Sequence, residues 1–196
     1  AIAPSSGTLQ RLNGEFAIPP LKLRYSRLTY QYQHFFPLAA GYALMLNGEV
    51  GAVQGYGGKS VPFYKNYYLG GIGSLRAFRD SSIGPKVTDA SGNETGDSMG
   101  GTRRAVGTAE LFFPLPGIKE KNAAMRMSLF VDAGSLWGSE GGAGRYAHAS
   151  DVRMSTGFSV NWASPIGPLA FVYGTPIIKK PGDRSQRLQF QIGSVF

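Results

Sequence analysis

Residues 27–36 read RLTYQYQHFF, and their side chains sort by parity. Leu28, Tyr30, Tyr32 and Phe36 fall on one side of an extended chain, and Arg27, Thr29, Gln31 and Gln33 on the other. A period of two is the signature of a β-strand with one apolar and one polar face.

The same period extends outward in both directions. Residues 11–18 set Leu12, Gly14, Phe16 and Ile18 against Arg11, Asn13 and Glu15, and residues 41–52 set Tyr42, Leu44, Leu46 and Val50 against Asn47 and Glu49. After a long interruption it resumes over 104–113, with Ala105, Ala109, Leu111 and Phe113 opposite Arg104, Thr108 and Glu110. Residues 125–137 place Met125, Met127, Leu129 and Val131 opposite Arg126, Ser128 and Asp132; residues 152–162 place Val152, Met154, Phe158, Val160 and Trp162 opposite Arg153, Ser155, Ser159 and Asn161. Strands over 169–177 (Leu169, Phe171, Tyr173) and 187–196 (Leu188, Phe190, Ile192, Phe196) complete eight, with no helical pattern.

The pattern predicts an all-β, antiparallel fold. A soluble sandwich gives the same alternation, but a dry core does not account for one face carrying Arg and Glu throughout. Lipid outside and water inside do, and a barrel strand needs no long apolar run. The connections also alternate: those at 37–41, 114–123 and 163–168 are fairly short and carry Pro, whereas 53–102, 138–151 and 178–186 are mostly longer, polar and glycine-rich, although the one near 19–24 is short. Short turns at one end and long loops at the other mark outer-membrane barrels.

Composition is consistent with this. The 196 residues suffice for one domain or part of a larger one, and Gly 28, Tyr 10 and Phe 12 with 16% charged residues is glycine- and aromatic-rich. The net charge of +8 comes from basic residues scattered singly, which argues against a nucleic-acid partner. Cysteine is absent, and no signal peptide or 18-residue apolar run is visible, so the chain is expected to be a mature product or a fragment.

One segment breaks the alternation. Roughly fifty residues, 53–102, lack a steady period, and a loop of that length is usually functional. Within it, 61–86 read VPFYKNYYLGGIGSLRAFRDSSIGPK, with Arg76 between Leu75 and Ala77 and Phe78 two residues on. This stretch resembles the long sixth extracellular loop of the BamA family of bacterial surface antigens, whose signature there is Arg-Gly-Phe. The likeness continues through GGTRRAVGTAELFFPLPG (100–117), MSLFVDAGSLWG (127–138), VRMSTGFSVNWASPIGPLAFVYGTP (152–176) and QFQIGSVF (189–196). It covers essentially the whole chain.

The resemblance implies that residues 1–196 are part of a single transmembrane β-barrel domain. They would be the C-terminal half of a sixteen-stranded barrel, with the POTRA domains and the first eight strands absent. It implies a loop folded into the lumen, Arg76 meeting Glu110 and Asp132 on the inner wall, and Phe78 packed beside it. Parity alone already puts both carboxylates on the polar side. Ala77 stands where the family has glycine, so the loop tip is expected either to be altered or not to need glycine's backbone angles.

The implied function is assembly of other barrels in the bacterial outer membrane, without covalent chemistry and without cofactors. Its implied partners are unfolded outer-membrane clients, lipoprotein subunits reached through POTRA domains, and the bilayer. The first and last strands part as a lateral gate and template an incoming strand. Residues Leu188, Phe190, Ile192, Gly193 and Phe196 would form the last one, with Gly193 weakening it near its end. A two-partner secretion transporter shares the barrel and an arginine motif and remains the alternative. An enzyme using Glu110 and Asp132 as an acid–base pair is less favoured, since an arginine between them would hold both ionised. GGIGSL (70–75) lacks the third glycine and the helix of a nucleotide-binding turn, Ser74 has no His–Asp arrangement to activate it, and His34 and His148 lack metal-ligand spacing.

Overall fold

Alternating side chains dictate the wall of the molecule. The computed structural model describes residues 5–18, 23–39, 41–88, 91, 93–115, 125–138, 148–165 and 167–193. Eight strands form one sheet: β1 (Gly7–Phe16), β2 (Tyr25–Ala39), β3 (Tyr42–Gly55), β6 (Arg103–Pro114), β7 (Met125–Trp137), β8 (Arg153–Ser164), β9 (Gly167–Ile178) and β10 (Leu188–Ile192). Each is antiparallel to its neighbour in chain order, so the sheet is an up-and-down meander with β1 and β10 at its two edges. Seven strands have 10–15 residues, enough to cross a hydrocarbon core when tilted. β10 has five.

The two faces differ as parity requires. Leu12, Phe16, Leu28, Leu129, Val131, Phe158, Phe171 and Phe190 are exposed on one face, which in water would be a large unpaired apolar surface. Phe171 and Phe190 meet across β9 and β10 with ring centroids 4.7 Å apart and the rings tilted by 39°. On the opposite face Gln31, Gln33, Asn47, Glu49, Arg104 and Asn161 line a cavity of about 710 Å³.

The described residues between β3 and β6 (56–88, 91 and 93–102) fold back over that polar face. They are not wholly irregular. A 3₁₀ turn covers Phe63–Lys65, and a small hairpin pairs β4 (Lys86–Thr88) with β5 (Glu94–Ser98). Beyond these, single bridges such as Tyr67 with Gly101 and Leu69 with Ile83 shape the segment. Its apolar residues make the core: Val61, Tyr67, Leu69, Leu75, Phe78 and Ile83 pack with Tyr25, Val53 and Leu136 from the wall. Tyr67 anchors the near end, its hydroxyl donating to the Leu28 carbonyl at 2.9 Å and lying 2.6 Å from Thr29 Oγ1. A Cβ on Gly51 would stand 2.5 Å from that ring, so the glycine makes the seat.

The terminal strand is described over Leu188–Ile192; Gly193 takes φ +107° and still donates its N–H to the Pro168 carbonyl at 2.9 Å, and Ser194, Val195 and Phe196 of the expected strand lie outside the described residues.

Candidate functional site

The loop carries Arg76 to the inner wall of β6 and β7. Arg76 Nε and Nη2 donate to Asp132 Oδ2 and Oδ1 at 2.8 and 2.7 Å, a two-pronged carboxylate contact, and Nη1 donates to Glu110 Oε2 at 2.9 Å. The Arg76 backbone N–H adds a bond to Asp132 Oδ2 at 3.1 Å. All three residues are buried, and Asp132 is fully enclosed. Planar, permanently charged arginine suits two fixed carboxylates in a way a lysine's point charge does not. Burial opposes the charge, but the hydrogen bond to Asp132 and the fields of Glu110 and Asp132 outweigh it and hold the guanidinium above its ordinary pKa.

Other inward side chains complete the seat. The guanidinium lies 3.6 Å from the centroid of the Phe130 ring, a cation–π contact in a desolvated setting. The other oxygen of Glu110 accepts from Ser128 at 2.5 Å and Ser159 at 3.3 Å. Phe130 and Ser128 sit on the inward parity of β7 beside Asp132, and Ser159 faces in from β8.

Ala77 adopts φ +68°, the left-handed region where glycine is the ordinary occupant. The substitution is therefore accommodated, not avoided. The methyl is fully buried, and a Cβ built on Gly174 would lie 3.0 Å from it. Gly174 pairs with Gly157 across β8 and β9, and the two bare positions hollow the wall beneath the loop tip. Phe78 is fully buried too, in the apolar core next to the arginine.

The structure also joins the loop tip to the last strand. Gln189, inward on β10 and buried, accepts from the Ala77 N–H at 3.1 Å and donates to the Phe78 carbonyl at 2.8 Å. The sequence reading missed this residue, since a Gln on an inward parity is ordinary lumen polarity. It also missed a second buried ion pair, Arg153 on β8 with Asp183 in the β9–β10 connection, whose Nε and Nη2 bonds are 3.0 and 3.3 Å. Leu188, Phe190 and Ile192 face away from the loop and are exposed. His34 on β2 contacts Thr8, and His148 lies in the connection before β8, its N–H donating to Asp151.

A meandering antiparallel sheet, apolar outside and polar inside, with an arginine loop plugged against its inner face, is the wall of a transmembrane β-barrel. Residues 1–196 match the Omp85 superfamily domain, and the chain belongs to that superfamily. It is 40% identical to the outer membrane protein assembly factor BamA of Neisseria meningitidis serogroup B, over 100% of this chain and 27% of that protein. It is 29% identical to the mouse sorting and assembly machinery component 50 homolog, over 100% of this chain and 42% of that one. A crystal structure of Haemophilus ducreyi BamA lacking POTRA domains 1–3 superposes with a TM-score of 0.88 at 32% identity, covering 95% of this chain and 38% of the other. The chain thus spans well under half the length of these relatives.

Proposed function

We propose that this chain forms part of the barrel of an outer-membrane protein assembly factor, which folds and inserts other β-barrels by templating strands at a lateral gate. The observation that carries the reading is the clasp of Arg76 on Asp132 and Glu110, which fixes a long loop inside a wall whose last strand lies at a sheet edge. A strand edge presents unpaired N–H and C=O groups, which is what an incoming strand needs and no covalent chemistry requires. The relatives named for assembly support it. In this reading the clients are unfolded outer-membrane proteins, the setting is the bacterial outer membrane, and lipoprotein subunits dock on domains beyond these residues. Glu110 and Asp132 serve in this reading as anchors, since the one guanidinium occupies an oxygen of Glu110 and both oxygens of Asp132.

The test is complementation of a strain depleted of its own assembly factor. Arg76→Ala should impair outer-membrane assembly, whereas Lys59→Ala, at an exposed loop position, should leave it intact. Equal growth and equal client levels in the two strains would remove the clasp from the mechanism.

A further inference from the structure

The terminal strand changes partners along its approach. In the connection before β10, the Arg79 N–H donates to the Arg184 carbonyl at 2.9 Å, the Gln186 N–H donates to the Ala77 carbonyl at 2.8 Å, and Phe78 bridges Ser185. At the next residue the pairing passes to the wall: the Gly174 N–H donates to the Arg187 carbonyl at 2.9 Å, and Leu188 then pairs with Tyr173. Residues 184–186 therefore continue the line of β10 but pair with the loop tip instead of β9. This is why β10 has five residues while β9 has 12.

Two successive loop amides fix the geometry. The N–H of Arg76 goes to Asp132 on β7, and the N–H of Ala77 goes to Gln189 on β10. Those strands are three places apart in the sheet, about 14 Å along the wall at the usual strand spacing. The two N–H groups belong to successive planar peptides joined at the Arg76 Cα, and Ala77 is held at φ +68° with its methyl against Gly174. With both N–H groups held by the wall, a displacement of Arg76 reaches the Ala77 N–H, and through it Gln189 on β10, across a single residue.

We propose that Gln189 is a positioning residue that couples the terminal strand to the arginine loop, so that the clasp on Asp132 and Glu110 sets how readily β10 leaves the wall. The inference rests on the reading of β10 as the gate strand. A side-chain amide suits the task, because it accepts from one loop residue and donates to the next with a single planar group. The Phe78 carbonyl has a second donor in the Gly71 N–H, so the group orphaned by losing Gln189 is the buried Ala77 N–H.

The experiment is amide hydrogen exchange on the full-length protein in lipid, compared for wild type, Gln189→Ala and Arg76→Lys, with client insertion measured in parallel. Arg76→Lys keeps the charge and loses the planar fork. Both variants should speed exchange at Ala77, Arg79 and Gln186 by about tenfold or more, while the β2–β3 amides keep their wild-type rates. Should Gln189→Ala fail to fold, the near-isosteric Gln189→Glu removes the donor to Phe78 and should speed the same amides to a smaller extent. An unchanged rate at Gln186 in Arg76→Lys, or in the Gln189 variant, overturns the coupling. If exchange rises as expected but clients insert at the wild-type rate, the coupling stands and it is the gate reading that fails.

Discussion

Arg76 satisfies two buried carboxylates, so its removal leaves an uncompensated pair. Breaking a buried ion pair from one side costs about 3–5 kcal/mol, and Arg76→Ala should lower the denaturant midpoint of the folded barrel accordingly. A change within experimental error would mean that Glu110 and Asp132 are solvated and the seat is not closed. Ala77→Gly tests the strained angle. It relieves about 1 kcal/mol of left-handed backbone cost and loses about 0.8 kcal/mol of methyl packing over Gly174, so stability should move by less than about 1 kcal/mol. A loss above about 2 kcal/mol would show that the methyl matters more than the backbone angle. At this scale Arg76, Glu110 and Asp132 were legible, two by parity and all three by resemblance. Gln189 was not, because nothing in a period of two reports that an inward amide meets a loop 112 residues earlier in the chain.

Elements explain how the wall receives the loop. Alternation locates all eight wall strands and bounds β6 to β9 within two residues, while β1 begins four residues earlier and β2 and β3 run three residues further, since lipid and lumen impose opposite demands on successive side chains. The small β4–β5 hairpin was not foreseen; β4 has three residues, too few for a period to show. The polar face also hides apolar members: Phe130, Leu136 and Val172 point inward and are almost fully buried under the loop, which parity places but does not explain. Substitutions should follow the faces. Arginine in place of the outward Phe158 should cost about 2–4 kcal/mol if it lies near the membrane midplane, and arginine in place of the inward, half-buried Asn161 much less. Equal costs, read from the same unfolding curves, would contradict lipid on the outer face. Gly157 carries a sharper constraint. A Cβ there would lie 2.2 Å from the Tyr173 carbonyl oxygen, so Gly157→Ala must push β8 from β9 and should reduce the yield of heat-modifiable, folded barrel.

The whole molecule is an open sheet with a loop across its inner face, and both properties bear on function. β1 and β10 sit at the edges, and backbone groups left unpaired in hydrocarbon cost several kcal/mol each. Such an edge requires a partner strand, and a partner held by few bonds is one that can be exchanged. Among the described residues β10 pairs with β9 over Leu188–Ile192, residues 184–186 just before it pair with the loop tip, and Gly193 takes φ +107°. Among the described residues β10 has the shortest ladder of the eight wall strands, as the proposed gate requires. The 196 residues contain no cysteine, so Gln191→Cys adds a single thiol among them. The most direct measurement is a disulfide placed between β10, at Gln191→Cys, and the strand that closes the barrel against it, with client insertion followed before and after reduction. The account predicts that the oxidised protein stops inserting clients and that reduction restores the rate; insertion at the full rate with the strands tied would contradict it.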